Sequence, residues 1–417
     1  MKIDNKLKNI VIILIIFLIA INPYIIYALE YPNINSKNVE IYDLNNKEIV
    51  YESNSKEIAS VASLTKIVTT ITAIETIPNL DKKVTITKDI LDTVRWDASI
   101  AGLKVNDKLT YMDLLYASML PSGADATNSI AILSSGSVDN FVKKMNKLSS
   151  KLKLKNTHFV NVTGLDAEGH YSTADDMRVI LEYALKNKLF KKIFTTREYR
   201  LSTGLLVKST INRYGNNIDT SKILGSKTGF TGNAGYCLSS LSNINGHEFI
   251  IIVLNANHTN NKYYNVVDTV DLIDFLLDNF KNQILIKENE TVYTLPIRLS
   301  KQDKYEIHSK KDISLYLPSD YDKEKIKIEY DGLKELSFFN KENSNIGTIS
   351  YYYDDKLISK EDVILESKID MSIIEILSEY YYIIIILVVI VYYLIYMNKK
   401  KKRKKKKTKV IKKSSIK

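Results

Sequence analysis

The stretch SVASLTKIVTT, residues 60–70, sets Ser63 three residues before Lys66 at the head of an apolar run. Two readings compete for it. The chain is rich in lysine, and the same S-x-x-K spacing recurs at Ser53/Lys56 and Ser150/Lys153. The spacing alone is therefore compatible with an ordinary helix start capped by a serine. The surroundings of Ser63 differ from those of the other two. Small residues precede it, and IVTTITAI follows as a buried-helix candidate over 63–76. On a helix, positions i and i+3 share a face, so Lys66 would lie beside Ser63. The positive end of the helix dipole would favour a developing alkoxide there. An activated nucleophile and a plain N-terminus both fit, so the rest of the chain has to decide.

The 417 residues can hold two domains and a large core. The net charge is +11, but residues 398–417 alone carry thirteen Lys or Arg and no acid. Without them the remainder stands at −2, and the +2 of residues 1–9 leaves the body near −4. A surface of that charge is no nucleic-acid face; the basicity belongs to the two ends. MKIDNKLKN followed by the apolar IVIILIIFLIAI and Pro23 has the form of a secretory signal peptide over 1–28. Residues 380–397, YYYIIIILVVIVYYLIYM, are uncharged, with tyrosines at both ends. As a helix they would extend about 27 Å, enough to cross a bilayer. The lysine run that follows places residues 398–417 in the cytoplasm as a polybasic tail, low in complexity and expected to be disordered or held on anionic lipid. The body then lies outside. Cys237 is the only cysteine and sits in apolar GYCLSSL, so it reads as a small core residue. The five histidines show no metal-ligand spacing, and no G-x-G-x-x-G or Walker motif occurs; neither a metal nor an organic cofactor is implied.

Residues 35–62 read as strands with a turn at Asn45-Asn46, and 77–109 as a strand-rich polar segment. Thr110, with Asp113 three residues on, opens a helix that ends by Pro121. Further helices are predicted over ADATNSIAILSS, over an amphipathic run capped by Ser137, over a run capped near Ser172 or Thr173, and at 265–280. Strands are predicted from Lys222 onward. This order suggests an α/β (α+β) domain over 35–282 whose two terminal portions share one antiparallel sheet flanked by helices. Residues 284–370 alternate in short runs with no helical period, as in a small all-β domain. Residues 371–379 would lead into the span.

Two further triplets stand where a nucleophile would want them: Ser122-Gly123-Ala124 in a loop between helices, and Lys227-Thr228-Gly229 near the end of a strand. S-x-x-K, S-D-N and K-T-G together are the set of penicillin-binding proteins and β-lactamases. ASLTKIVT, YASMLPSGADAT, HFVNVTGLDAEGHYSTADDM and GSKTGFTGNAGYC all resemble the serine-type D-alanyl-D-alanine carboxypeptidases, the low-molecular-mass penicillin-binding proteins. The resemblance covers about residues 35–370. It implies a penicillin-recognising catalytic domain, a β domain and a membrane attachment that holds the enzyme on the outer side of a bacterial cell membrane. Its substrate would be the peptidoglycan stem peptide, and β-lactam antibiotics would acylate the same serine.

By that resemblance Ser63 is the nucleophile, and Lys66 its base if burial and Lys227 keep it neutral. Ser122 relays a proton to the leaving group. Lys227 and Thr228 hold the substrate carboxylate, and Gly229 permits close approach of the peptide to the strand edge. The backbone N–H groups of Ser63 and Phe230 form the oxyanion hole. One departure stands out. The second triplet of the family normally ends in Asn, which grips the substrate backbone and helps orient the lysine; here it is Ala124, and Asp125 or Asn128 would have to substitute. A wall-associated protein with weak turnover is the alternative this departure raises. A β-lactamase fits less well, because no E-x-x-L-N deacylation stretch lies between the second and third triplets. His170 and Asp175-Asp176 read as parts of a helix start that this chemistry does not need.

Overall fold

In the computed structural model, residues 31–214, 218–257 and 263–414 are described, with side chains as far as 403. The signal-peptide segment 1–28 therefore lies outside the described residues. The chain divides into two compact units, Met1–Lys281 and Asn282–Lys417.

The first unit opens with the hairpin β1 (Ser36–Asp43) and β2 (Glu48–Ser53). The Asp43 carboxylate accepts the N–H groups of Asn45 and Asn46 and so fixes the turn between them. Helix α1 (Thr65–Thr76) follows a single 3-10 turn, Ala62–Leu64. Residues 77–109 are not strand-rich as expected. They contain only the short pair β3 (Lys83–Thr85) and β4 (Lys108–Thr110) and the helical turn α2 (Lys88–Asp92). Next come α3 (Tyr111–Met119), α4 (Ala124–Ser135), α5 (Val138–Lys151), α6 (Ala174–Leu185) and α7 (Lys188–Thr195). Their starts follow the chemistry of their caps. Thr110 and Asp113 form a reciprocal capping box, Ser137 caps α5, and Thr173, not Ser172, caps α6. The sequence reading had no α7. Asn187 caps it, and Phe190, Ile193 and Phe194 are buried along one face. The small hairpin β5 (Glu198–Arg200) and β6 (Leu206–Lys208) leads to β7 (Ile223–Thr231), β8 (Gly235–Ile244), β9 (His247–Ala256) and α8 (Tyr264–Asn279).

The five long strands form one sheet in the order β2-β1-β9-β8-β7, antiparallel throughout. Val39 pairs with Val253 and Ile41 with Ile251, so the start and end of the domain meet at the sheet centre as expected. Phe249 to Leu254 are all buried, which requires both faces of β9 to be covered. Helix α6 packs on β1 and β9, and α8 on β8 and β9. Helix α1 is itself buried among α3, α4, α5 and α6, which explains its apolar run. Cys237 lies in this core with no exposure. The position of β7 at the sheet edge matters for function, because one side of it is left for the Ser63 turn and for a ligand.

The second unit is all-β up to its last helix. Its strands are β10 (Phe280–Ile286), β11 (Thr291–Arg298), β12 (Lys304–His308), β13 (Ile313–Pro318), β14 (Ile326–Gly332), β15 (Leu336–Ser337), β16 (Asn345–Tyr353) and β17 (Lys356–Ile364). They form the groups β10-β13, β12-β11-β15 and β14-β16-β17 around a core that includes Ile286, Leu295, Ile297, Leu336, Ile349 and Tyr351. The alternating sequence is what a sheet with one dry face requires. Helix α9 (Ile373–Ser414) absorbs the expected lead-in, the span and most of the tail into one element. Residues 371–379 are thus largely the first turns of that helix, and the basic segment continues it to Ser414 instead of leaving it. Over Ile373–Arg403 the helix is long and apolar enough to cross a membrane, and the 18-residue apolar stretch within it, of mean hydropathy 2.3, is unburied.

Candidate active site

Ser63 lies on the 3-10 turn and Lys66 one turn along, on α1. Their spacing brings Ser63 Oγ and Lys66 Nζ to 3.0 Å. Lys66 is 2% exposed, and its ammonium donates to the Thr163 carbonyl at 2.6 Å. Burial lowers the Lys66 pKa from 10.5 to about 7, against the opposing pull of Asp125. Near neutral pH a large fraction of this amine therefore carries a free lone pair beside a serine hydroxyl.

The turn bearing Ser63 is held from several sides. Ala62 has φ +46°, an unusual backbone for a residue with a side chain. Its carbonyl accepts the Thr65 hydroxyl at 2.9 Å. Thr65 Oγ1 lies 2.8 Å from His170 Nε2, and His170 Nδ1 accepts the Val160 N–H at 3.2 Å. The latter bond leaves the proton on Nε2, which donates to Thr65. His170 stays neutral, because burial lowers its pKa to about 4. It supports the Ser63 turn, a role that the helix-start reading of its stretch did not contain. The loop after Phe159 closes over the same turn. A Cβ at Gly164 would stand 1.9 Å from the Ala62 carbonyl oxygen. Asp166 accepts the hydroxyls of Ser60 at 3.0 Å and Thr231 at 2.8 Å, which ties this loop to both the Ser63 segment and β7.

Strand β7 passes the turn closely. A Cβ on Gly229 would lie 3.0 Å from Ala62 Cβ and 3.1 Å from Ser63 N. Any side chain there would push the strand away from the Ser63 turn, the structural reason for glycine at this place. Lys227 is fully buried and donates to the Thr228 carbonyl at 2.8 Å. Its pKa lies well below the ordinary value, chiefly from burial, then from Lys66 and from Arg213. Thr228 Oγ1 donates to Thr210 Oγ1 at 2.7 Å. Lys66, Lys227 and Arg213 thus gather around one place, where an anion would relieve their mutual repulsion. Arg213 was absent from the sequence reading, since nothing local distinguishes it. Phe230, whose N–H was assigned to an oxyanion hole, follows Gly229 with its ring half-exposed against Tyr236.

Ser122 occupies the loop between α3 and α4 at φ +65°, a strained backbone for serine. Its hydroxyl is buried and has no hydrogen-bond partner among the described residues. Ala124 begins α4, is 2% exposed, and lines a cavity of about 290 Å³ together with Asn128, Asn161 and Thr163. The two residues named as substitutes for the missing Asn are occupied elsewhere. Asp125 accepts the N–H groups of Ala101, Gly102 and Leu103 at 2.8, 2.9 and 3.0 Å. The Asn128 amide donates to Thr93 Oγ1 at 2.9 Å.

Comparison with known proteins identifies the family. Residues 26–258 match the family model of D-alanyl-D-alanine carboxypeptidases, and residues 280–371 that of the penicillin-binding protein 5 C-terminal domain. The chain is 29% identical over 339 residues to D-alanyl-D-alanine carboxypeptidase DacF of Bacillus subtilis, covering 79% of this chain and 84% of that protein. It is 28% identical over 348 residues to DacA of Escherichia coli K12, covering 81% and 84%. Among solved structures, the fold resembles penicillin-binding protein 5 from Haemophilus influenzae, with TM-score 0.59 at 24% identity over 82% of this chain and all of that one. The chain also resembles the Streptomyces K15 DD-transpeptidase, with TM-score 0.54 at 30% identity, covering 59% of this chain and 98% of that one. The chain belongs to the D-alanyl-D-alanine carboxypeptidase family of serine peptidases and carries the penicillin-binding protein 5 C-terminal domain behind its catalytic domain.

Proposed function

We propose that the protein trims peptidoglycan stem peptides through an acyl-enzyme on Ser63, outside the cell and tethered by α9. The observation that carries this reading is the 3.0 Å contact between Ser63 Oγ and a buried Lys66 whose pKa has fallen to about 7. Neutral Lys66 takes the Ser63 proton as Oγ attacks the carbonyl of the D-Ala-D-Ala bond. The N–H groups of Ser63 and Phe230 receive the oxyanion. Lys227 and Thr228, with Arg213 near them, bind the terminal carboxylate, which supplies the anion that this group of cations lacks. The Ser122 hydroxyl passes a proton to the departing D-Ala amine. Water then hydrolyses the ester, and Ser63 regains its proton. A β-lactam carries a carboxylate and a strained amide in a similar relation and acylates Ser63 in the same way. The span of α9 and the lysines after it support a catalytic body on the outer face and a cytoplasmic C-terminus.

Ala124 favours a second reading, in which acylation persists but turnover is weak. Release of free D-Ala from a stem pentapeptide, measured beside covalent labelling by a fluorescent penicillin, separates the two. Both signals, lost together in Ser63→Ala, support the carboxypeptidase; labelling without D-Ala release supports the weak enzyme. Rapid destruction of the penicillin with no lasting label would contradict both.

A further inference from the structure

Lys66 needs an anchor that the second triplet does not supply, and the loop at 161–165 offers one. The Thr163 carbonyl receives Lys66 Nζ at 2.6 Å. That carbonyl is set in place by a single side chain. Asn161 Oδ1 accepts Thr163 N–H at 3.1 Å, the Thr163 hydroxyl at 3.1 Å and Gly164 N–H at 2.7 Å. Asn161 Nδ2 donates to the Leu165 carbonyl at 2.9 Å. Four hydrogen bonds from one carboxamide therefore fold the loop back on itself and turn the Thr163 carbonyl toward the amine. Gly164, at φ +85°, then lies directly under the Ala62 carbonyl beside Ser63. Asn161, Thr163 and Ala124 line the same cavity.

We propose that Asn161 is a positioning residue for Lys66: by fixing the Thr163 carbonyl it holds the amine against Ser63 in a site whose second triplet, ending in Ala124, has no amide to do so. The inference rests on the reading of Lys66 as the base. When neutral, the amine gives one N–H to Thr163 O, and this bond turns its lone pair toward Ser63 Oγ. Loosening the carbonyl lets the amine rotate away and lowers the fraction of productive encounters. The charged or titratable groups facing Lys66 are Asp125 at the start of α4, Lys227 on β7 with Arg213 beyond it, and neutral His170 on the loop before α6. Asn161 itself adds no charge. Its replacement by Ala disturbs geometry, whereas Asp keeps the acceptor for three donors and brings a negative charge that raises the Lys66 pKa.

The test is the second-order rate of acylation of the full chain by a fluorescent penicillin, followed against pH, with Tm recorded for each variant. Asn161→Ala should slow acylation at the high-pH plateau by roughly ten-fold or more. Asn161→Asp should keep the plateau within about three-fold of wild type while its acid limb moves to higher pH, as an added negative charge near a lysine requires. Adding Ala124→Asn to Asn161→Ala should recover most of the loss, because a side-chain amide again reaches the amine. A residue that merely stabilises the loop would lower Tm, leave the plateau of Asn161→Ala within about three-fold of wild type, and gain nothing from Ala124→Asn; that result overturns the proposal, while the limb of Asn161→Asp reports on Lys66 as the titrating base in either case. If Asn161→Ala fails to fold, Asn161→Gln decides in its place: a plateau lowered roughly ten-fold at a Tm near wild type supports positioning, and a plateau within about three-fold of wild type overturns it. Lys66→Ala separates this inference from its premise. Wild-type acylation without Lys66 would remove the base itself, whereas loss in Lys66→Ala beside a normal plateau rate in the Asn161 variants would refute only the positioning role.

Discussion

Lys66 sets the chemistry at the scale of single residues. In the proposed mechanism its neutral form is the base, and burial places the change between forms near pH 7. The sign follows directly. Below that pH the amine is protonated and cannot take the Ser63 proton; above it the lone pair is free. Acylation by a penicillin should therefore rise with pH through about 7 and level off well below the ordinary lysine value of about 10.4. A rate flat from pH 5 to 9 would refute a lysine base. Ala124 is the other residue that decides rate. The adjoining cavity of about 290 Å³ gives an asparagine side chain room without displacing the core. One recovered hydrogen bond, about 0.5–1.5 kcal/mol net, should raise kcat/KM for D-Ala release by roughly two- to twelve-fold in Ala124→Asn. An unchanged or lower value, measured on the same pentapeptide, would mean that the substrate does not use this position.

Among the elements, the site depends on how tightly the loop around Gly164, strand β7 and the Ser63 turn are pressed together. Gly164→Ala should suppress acylation strongly, since its Cβ would overlap the Ala62 carbonyl and its φ suits glycine. Normal labelling in that variant would show that the turn tolerates displacement. Helix α6 is fastened to the sheet by Arg178, which bonds Glu40 on β1 at 2.8 Å and Asp175 at 2.6 Å and stacks over Tyr42. Glu40 has no exposure, and burial raises its pKa to about 7 even beside Arg178; in Arg178→Ala it should become protonated and lose its partner, and the denaturation midpoint should fall. The elements also mark the limit of what the sequence makes legible. Ser63 and Lys66 could be paired because i and i+3 on a helix are neighbours, and Thr110 with Asp113 for the same local reason. The central strands were legible because burial on both faces leaves continuous apolar runs. Helix α7 was missed although Asn187 and the Phe190, Ile193, Phe194 spacing announce it; its lysines mask the period. Residues 77–109 were misread because isolated β-branched residues in a polar loop imitate strands. Asn161, Thr163, His170, Asp166 and Arg213 reach the site from about a hundred residues or more beyond Ser63, and no local pattern records such contacts.

On the scale of the whole molecule, a catalytic unit, a β unit and an apolar helix follow one another in a single chain. A stop codon at Tyr380 removes the uncharged run but keeps the first two turns of α9, where Glu375 accepts Ser300 N–H and Glu379 pairs with Arg298. The truncated protein should leave the membrane fraction and still take up penicillin; if it stays with the membrane, α9 is not the sole anchor. The account as a whole stands on the identity of the acylated atom. The most direct measurement is a peptide map of the full-length protein after reaction with a penicillin. Cleavage after Lys56 and Lys66 yields a peptide with two serines, Ser60 and Ser63. Fragment masses should place the whole penicilloyl adduct on Ser63, with none in Ser63→Ala; an adduct on Ser60 or Ser122, or none at all in the wild type, would contradict the account.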